Sequence, residues 1–74
     1  MKIELKLFTS LRKNRDKKYQ FDIQPGSTPA DLSELADIDP REVKMVLING
    51  RVSSIDAELK EGDSVSFFPV IGGG

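Results

Sequence analysis

The sequence predicts an α+β fold, a mixed four- to five-stranded sheet with one main helix packed on one face. Three observations predict it. Two apolar/polar alternations stand near the N-terminus, a capped helix start follows them, and a last alternating run closes the chain. At 74 residues the chain is one domain, near the lower limit at which a single core holds a fold without disulfides or metal.

Residues 2–8 alternate strictly, with Ile3, Leu5 and Leu7 against Lys2, Glu4 and Lys6, which is the period of a half-buried strand. Residues 9–17 are polar and charged apart from Leu11 and read as a connection. A second alternation sets Tyr19, Phe21 and Ile23 against Lys18, Gln20, Asp22 and Gln24. The pair predicts an antiparallel N-terminal hairpin. Pro25-Gly26 then marks a turn. Thr28 stands as an N-cap, Pro29 at the first helical position and Asp31 as the capping-box acid. Leu32, Leu35 and Ala36 keep helical spacing, and Asp39-Pro40 ends the helix at the latest. Arg41, Glu42 and Val43 add a single turn.

Residues 44–49 (KMVLIN) are apolar on both faces and read as a strand running into an Asn49-Gly50 hairpin turn, with Arg51 and Val52 as a short partner. Residues 57–60 are expected to form a brief helical turn and residues 61–63 a reversal. Residues 64–70 form the last strand, with Val65 and Phe67 on one face and Ser64, Ser66 and Phe68 on the other. The order β–β–α–β–β–β requires the helix to cover one face of a mixed sheet, and the well-patterned first and last strands suit adjacent central positions. This is the β-grasp arrangement. Residues 1–71 are assigned to that domain and residues 72–74 to a flexible C-terminal glycine tail.

Composition narrows the function. The chain has no cysteine and no histidine, so thiolate zinc sites, thiol nucleophiles and imidazole bases are all absent. Catalysis by this chain acting alone is not expected, and no metal site is expected either. Eleven basic and twelve acidic residues give a net charge of −1, without the excess of a nucleic-acid binder. No apolar run approaches the roughly 20 residues that span a bilayer, and the charged N-terminus does not resemble a signal peptide. A cytoplasmic location is the expectation, with no nucleic acid and no membrane as partner.

The chain closes on FFPVIGGG. Taken alone, its glycines fit a frayed end as well as a working arm. Four stretches settle the reading: KLFTSLR at the first strand, TPADL at the helix start, VLING at the hairpin, and LKEGDSVSFFPVIGGG at the C-terminus. In order, length and terminal glycines, the chain resembles the ThiS/MoaD family of ubiquitin-like sulfur carriers over nearly its whole length. KLFTSLR and Phe68-Pro69 lean toward the MoaD branch, the molybdopterin synthase small subunit type. The third glycine and the short helix lean toward ThiS.

The resemblance implies that the reactive group is the C-terminal carboxylate of Gly74. An E1-like adenylating enzyme of the MoeB/ThiF type would activate it with ATP and magnesium, and persulfide sulfur would then displace AMP to leave a thiocarboxylate. That group would donate sulfur to a larger synthase subunit of the MoaE type in molybdopterin or tungstopterin assembly, or to a thiazole synthase in thiamine synthesis. A ubiquitin-like modifier joined through Gly74 to target lysines is a further alternative, and a plain interaction module whose tail never reacts is the last. The chain itself would be a carrier, not an enzyme, and bind no cofactor. Gly72 and Gly73 would thread a narrow channel, since residues without Cβ take whatever φ and ψ the channel demands.

Two features stay open on sequence alone. Phe68, Pro69, Val70 and Ile71, with Phe8 on the first strand, form a partner-docking patch if they project from the open sheet face. A twist or bulge near Pro69 would instead pack them inward. The basic stretch at residues 12–18 reads first as a solvated loop and second as a dock for an acidic rim on a partner.

Overall fold

The computed structural model describes residues 1–12 and 15–69. Five strands, β1 (Lys2–Leu7), β2 (Lys18–Asp22), β3 (Val43–Ile48), β4 (Arg51–Ser53) and β5 (Ser64–Pro69), form one sheet in the order β2-β1-β5-β3-β4. β1 and β5 are central and parallel, and every other pairing is antiparallel. The sequence expectation of adjacent central first and last strands therefore holds. The helix, α1 (Pro29–Leu35), covers one face.

The inner face takes the alternate residues of the central strands. Ile3, Leu5 and Leu7 of β1 and Val65 and Phe67 of β5 are buried, and Leu32 of α1 closes over them with Ile23, Ile38, Val46 and Leu59. Phe67 is fully buried, at 0% exposure. The helix starts where Thr28 and Asp31 predict. Thr28 Oγ1 accepts the Asp31 N–H at 3.3 Å, and Asp31 Oδ2 accepts the Thr28 N–H at 3.0 Å. This reciprocal capping box satisfies two N–H groups that a helix start otherwise leaves without partners.

The Asn49-Gly50 hairpin is a two-residue loop closed by the Ile48–Arg51 pair. Both loop residues have positive φ, +54° and +82°, which is the type I′ backbone that Asn-Gly favours.

Several expectations need correction. β1 ends at Leu7 and β2 at Asp22, each short of its alternating run. The connection after β1 holds a 3-10 turn, Thr9–Arg12, which buries Leu11 against the core. A second 3-10 turn, Pro40–Glu42, is capped by Asp39 and stands one residue before the expected single turn. Residues 57–60 are not helical. The chain turns earlier, where Ser54 Oγ accepts the Asp56 N–H and the Ser54 carbonyl accepts the Ala57 N–H. Leu59 then donates its N–H to the Ser27 carbonyl at 2.9 Å and buries its side chain, so its backbone serves a tertiary contact. Leu35, expected on the buried stripe of α1, is 58% exposed, because the helix ends there and its buried side is made by Pro29, Leu32 and Ser33.

Candidate functional site: the tail-bearing strand and the open face of the sheet

The face of the sheet away from α1 carries the other half of each alternation, and register decides what gathers there. β5 pairs with β3 so that Phe68 stands opposite Met45, and β4 pairs with β3 so that Val52 stands opposite Leu47. Paired residues share a face, and residues two apart on one strand do too. On the other side, the parallel register sets Leu7 beside Phe67, which carries Phe8 alongside Phe68. The two rings stack with centroids 4.4 Å apart and planes 11° from parallel. Val52, Leu47, Met45, Phe68 and Phe8 thus form one apolar row across four strands' width. Val52 is 75% exposed and Met45 38%, while Leu47, Phe68 and Phe8 are partly buried.

Two local distortions set this row. Thr9, directly after Phe8, has φ +52°, an uncommon conformation for a β-branched residue. It turns the chain off the strand while Leu11 is drawn into the core. In β3 the register slips between Val43, opposite Pro69, and Met45, opposite Phe68. The extra residue, Lys44, lets Val43 point inward and Met45 outward, although regular alternation would put both on one face.

The bulge expected near Pro69 as a rival to outward projection is therefore present, on the neighbouring strand, and Phe68 still lies on the open face. Pro69, grouped by sequence with the outward patch, is buried. It continues the inward parity of Val65 and Phe67, so it is corrected to a core position. Val70, Ile71, Gly72, Gly73 and Gly74 lie outside the described residues, as does the boundary between residues 1–71 and the tail.

The β1–β2 half of the open face has a different chemistry. Glu4 accepts a hydrogen bond from Ser64 Oγ at 3.1 Å and lies 3.7 Å from Lys6 Nζ and 3.6 Å from Lys18 Nζ. The Ser64 hydrogen bond, with Lys18 and Lys6 beside it, holds the Glu4 carboxyl below the usual glutamate range. In the basic stretch, Arg15 donates to the Leu11 carbonyl at 3.3 Å and to the Asp37 carbonyl at 3.0 Å, a structural use of one of its charges. Among the described residues no group of three or more acidic side chains is placed to hold a metal.

Sequence reasoning placed Phe8 and Phe68 on the open face but did not place Met45, Leu47 and Val52 beside them. The signal was in KMVLIN: a strand apolar on both faces must put apolar residues on the open face as well.

A family model described as the ThiS family matches residues 5–74. No curated protein matches. Solved structures are similar throughout. The HVO 2177 protein of Haloferax volcanii superposes with a TM-score of 0.80 at 25% identity, over 100% of this chain and 87% of that one. A protein assigned as molybdopterin converting factor, subunit 1, from Pyrococcus furiosus gives 0.71 at 25% identity, over 96% and 99%. SAMP1 of Haloferax volcanii gives 0.75 at 23% identity, over 100% of both chains, and shares the fold. A further similar structure is the complex of subunits 1 and 2 of the Helicobacter pylori molybdopterin-converting factor, with a TM-score of 0.64 at 18% identity over 100% of both chains. The fold shared with these neighbours, SAMP1 and the converting-factor subunits among them, is the ubiquitin-like β-grasp. With its family match running over residues 5–74, the chain belongs to the ThiS family.

Proposed function

We propose that the chain is a sulfur carrier whose Gly74 carboxylate is adenylated by an E1-like enzyme of the MoeB/ThiF type and converted to a thiocarboxylate. The observation that carries this reading is the family match itself, which extends through Gly74 and so includes the terminal glycines. A carboxylate resists nucleophiles because resonance and its negative charge oppose attack, and adenylation supplies a leaving group. The partner provides the catalytic groups, and this chain provides the end that is modified. Three extended residues reach roughly 10 Å, enough for Gly72, Gly73 and Gly74 to enter a site while the sheet stays outside.

The open face supports the same reading. The apolar row includes Phe68, two residues before Val70 on the strand that delivers the tail, so a partner that covers the row also receives the terminus. We assign Phe8, Phe68, Met45, Leu47 and Val52 to that contact, continued by Val70 and Ile71. The sulfur acceptor is a larger synthase subunit in molybdopterin or tungstopterin assembly, a reading supported by the likeness to converting-factor subunit 1. Thiazole synthesis in the thiamine pathway uses the same tail chemistry with another acceptor.

A second reading draws on the likeness to the small archaeal modifier protein. In it, Gly74 is joined to lysines of target proteins. Incubation with the activating enzyme, ATP, magnesium and a persulfide donor distinguishes the two. Intact-mass measurement should show one oxygen-for-sulfur exchange, absent when Gly74 is deleted. An unchanged mass in the intact chain, with Gly74-dependent lysine conjugates in host extract, overturns the carrier reading in favour of the modifier.

A further inference from the structure

A groove of about 610 Å³ lies between the end of β2 and α1. It stands at the pole opposite the end of β5. Asp22 pairs with Lys2 at the start of β1, whereas Phe8 and the end of the parallel strand β5 stand at the other end. Six residues of strand separate the two, roughly 20 Å.

The groove is lined by apolar Ile23, Pro25 and Leu35 and by acidic Asp22, Asp31 and Glu34. Among the described residues no lysine or arginine lines it. Its one cationic group, the Met1 ammonium, is already engaged, at 3.2 Å from Asp22 Oδ1 and 2.7 Å from the Ile23 carbonyl. Leu35 is the unexplained residue. Of the large exposed apolar side chains among the described residues, Met45 and Val52 belong to the row on the sheet, and Leu35 belongs neither there nor to the core.

Aliphatic side chains lined up with carboxylates in one groove suit a segment that carries both an aliphatic side chain and cations. We propose that this groove docks a short basic segment of a partner protein, with an aliphatic side chain against Leu35 and lysine or arginine beside Asp31 and Glu34. A second copy of this chain does not meet both requirements. Its densest basic stretch, residues 12–18, contains no aliphatic residue, and Leu11 beside it is buried in the core. Because the groove lies at one end of the central strands, and Phe8 and Phe68 at the other with Leu47 and Val52 on the opposite face of the sheet from α1, a partner held here leaves the row free for an enzyme. The inference stands apart from the chemistry at Gly74 and does not need it.

The test is an NMR titration of the ¹⁵N-labelled full chain with the peptide acetyl-Lys-Leu-Arg-Leu-Lys-amide, and with a control carrying serine in place of both leucines. The leucine peptide should give saturable amide shifts at Ile23, Gln24 and Ser27 and along residues 31–36. The control should bind at least about tenfold more weakly, as should the leucine peptide to Leu35→Lys and to Glu34→Lys. Both positions are exposed, so the variants keep the fold, and both should accept sulfur at Gly74 at the rate of the unaltered chain. Equal binding of the two peptides, or shifts spread as strongly over Asp39 and Glu42 near the other end of the sheet, would reduce the groove to general negative charge and overturn the proposal. Shifts in the same residues that grow with protein concentration alone would place a second copy there, and would overturn it too.

Discussion

Phe67 and Phe68 are consecutive residues on the tail-bearing strand, yet they belong to different regions of the molecule. The inner face around Phe67 is closed by α1 and by the long segment through Leu59. The tail-side half of the open face, around Phe68, is equally apolar in composition, but among the described residues no element covers it. The β1–β2 half of the same face resolves its exposure internally, with Glu4 answered by Ser64, Lys6 and Lys18. The contrast separates two uses of apolar area in a small domain. One region holds the fold together, and the other stays open on the surface, the kind of patch that the proposed function gives to a second molecule.

The sharpest way to break this contrast is to remove each ring in turn. Phe67→Ala should cost about 3–5 kcal/mol of stability, read from the urea midpoint, because it opens a cavity in a fully buried core. Phe68→Ala should cost only about 0.5–1.5 kcal/mol, the worth of its stack on Phe8 with partial burial. The same variant should weaken association with the activating enzyme by tenfold or more, as removal of an aromatic anchor does, measured by calorimetry. Similar stability losses for the two variants would place Phe68 in the core and end the distinction.

Smaller effects sharpen it. Val52→Lys, at the far end of the row, should change stability by no more than about 0.5 kcal/mol and weaken the same association by a few-fold. Glu4→Gln tests the polar half through pH. The folded-state pKa of Glu4 is depressed, so its contribution is present above the ordinary glutamate value and is lost as pH falls through the lower folded value. Thermal unfolding should therefore show the parent chain ahead of Glu4→Gln at pH 7, with the gap closing in acid from about pH 5 downward. A gap that is constant with pH would mean that the charge of Glu4 contributes nothing.

Much of the fold was legible because its signals are local. Strict alternation in β1 and β5, Thr28-Pro29-Ala30-Asp31 at the helix start and Asn49-Gly50 at the hairpin each specify a backbone within a few residues. What stayed hidden depends on partners distant in sequence. Whether Leu35 is covered depends on where α1 ends over the sheet, and residues 57–60 follow the Ser27 carbonyl rather than their own helix propensity. The facing of Met45 depends on a bulge at Lys44 that no local alternation announces. The candidate site was half legible for the same reason. Phe8 and Phe68 follow from parity within their strands, whereas their union with Leu47 and Val52 is a matter of register between strands.

The parallel pairing of β1 with β5 also bears on how the molecule takes a load. The chain enters the sheet at one end of β1 and leaves it at the other end of β5. A pull between the N-terminus and the tail therefore runs along both strands and strains their shared ladder in shear, many hydrogen bonds at once, rather than unzipping them singly. Resistance to such a pull is set by the unfolding rate and not by equilibrium stability. The strand that precedes the C-terminal residues is thus loaded in shear against β1.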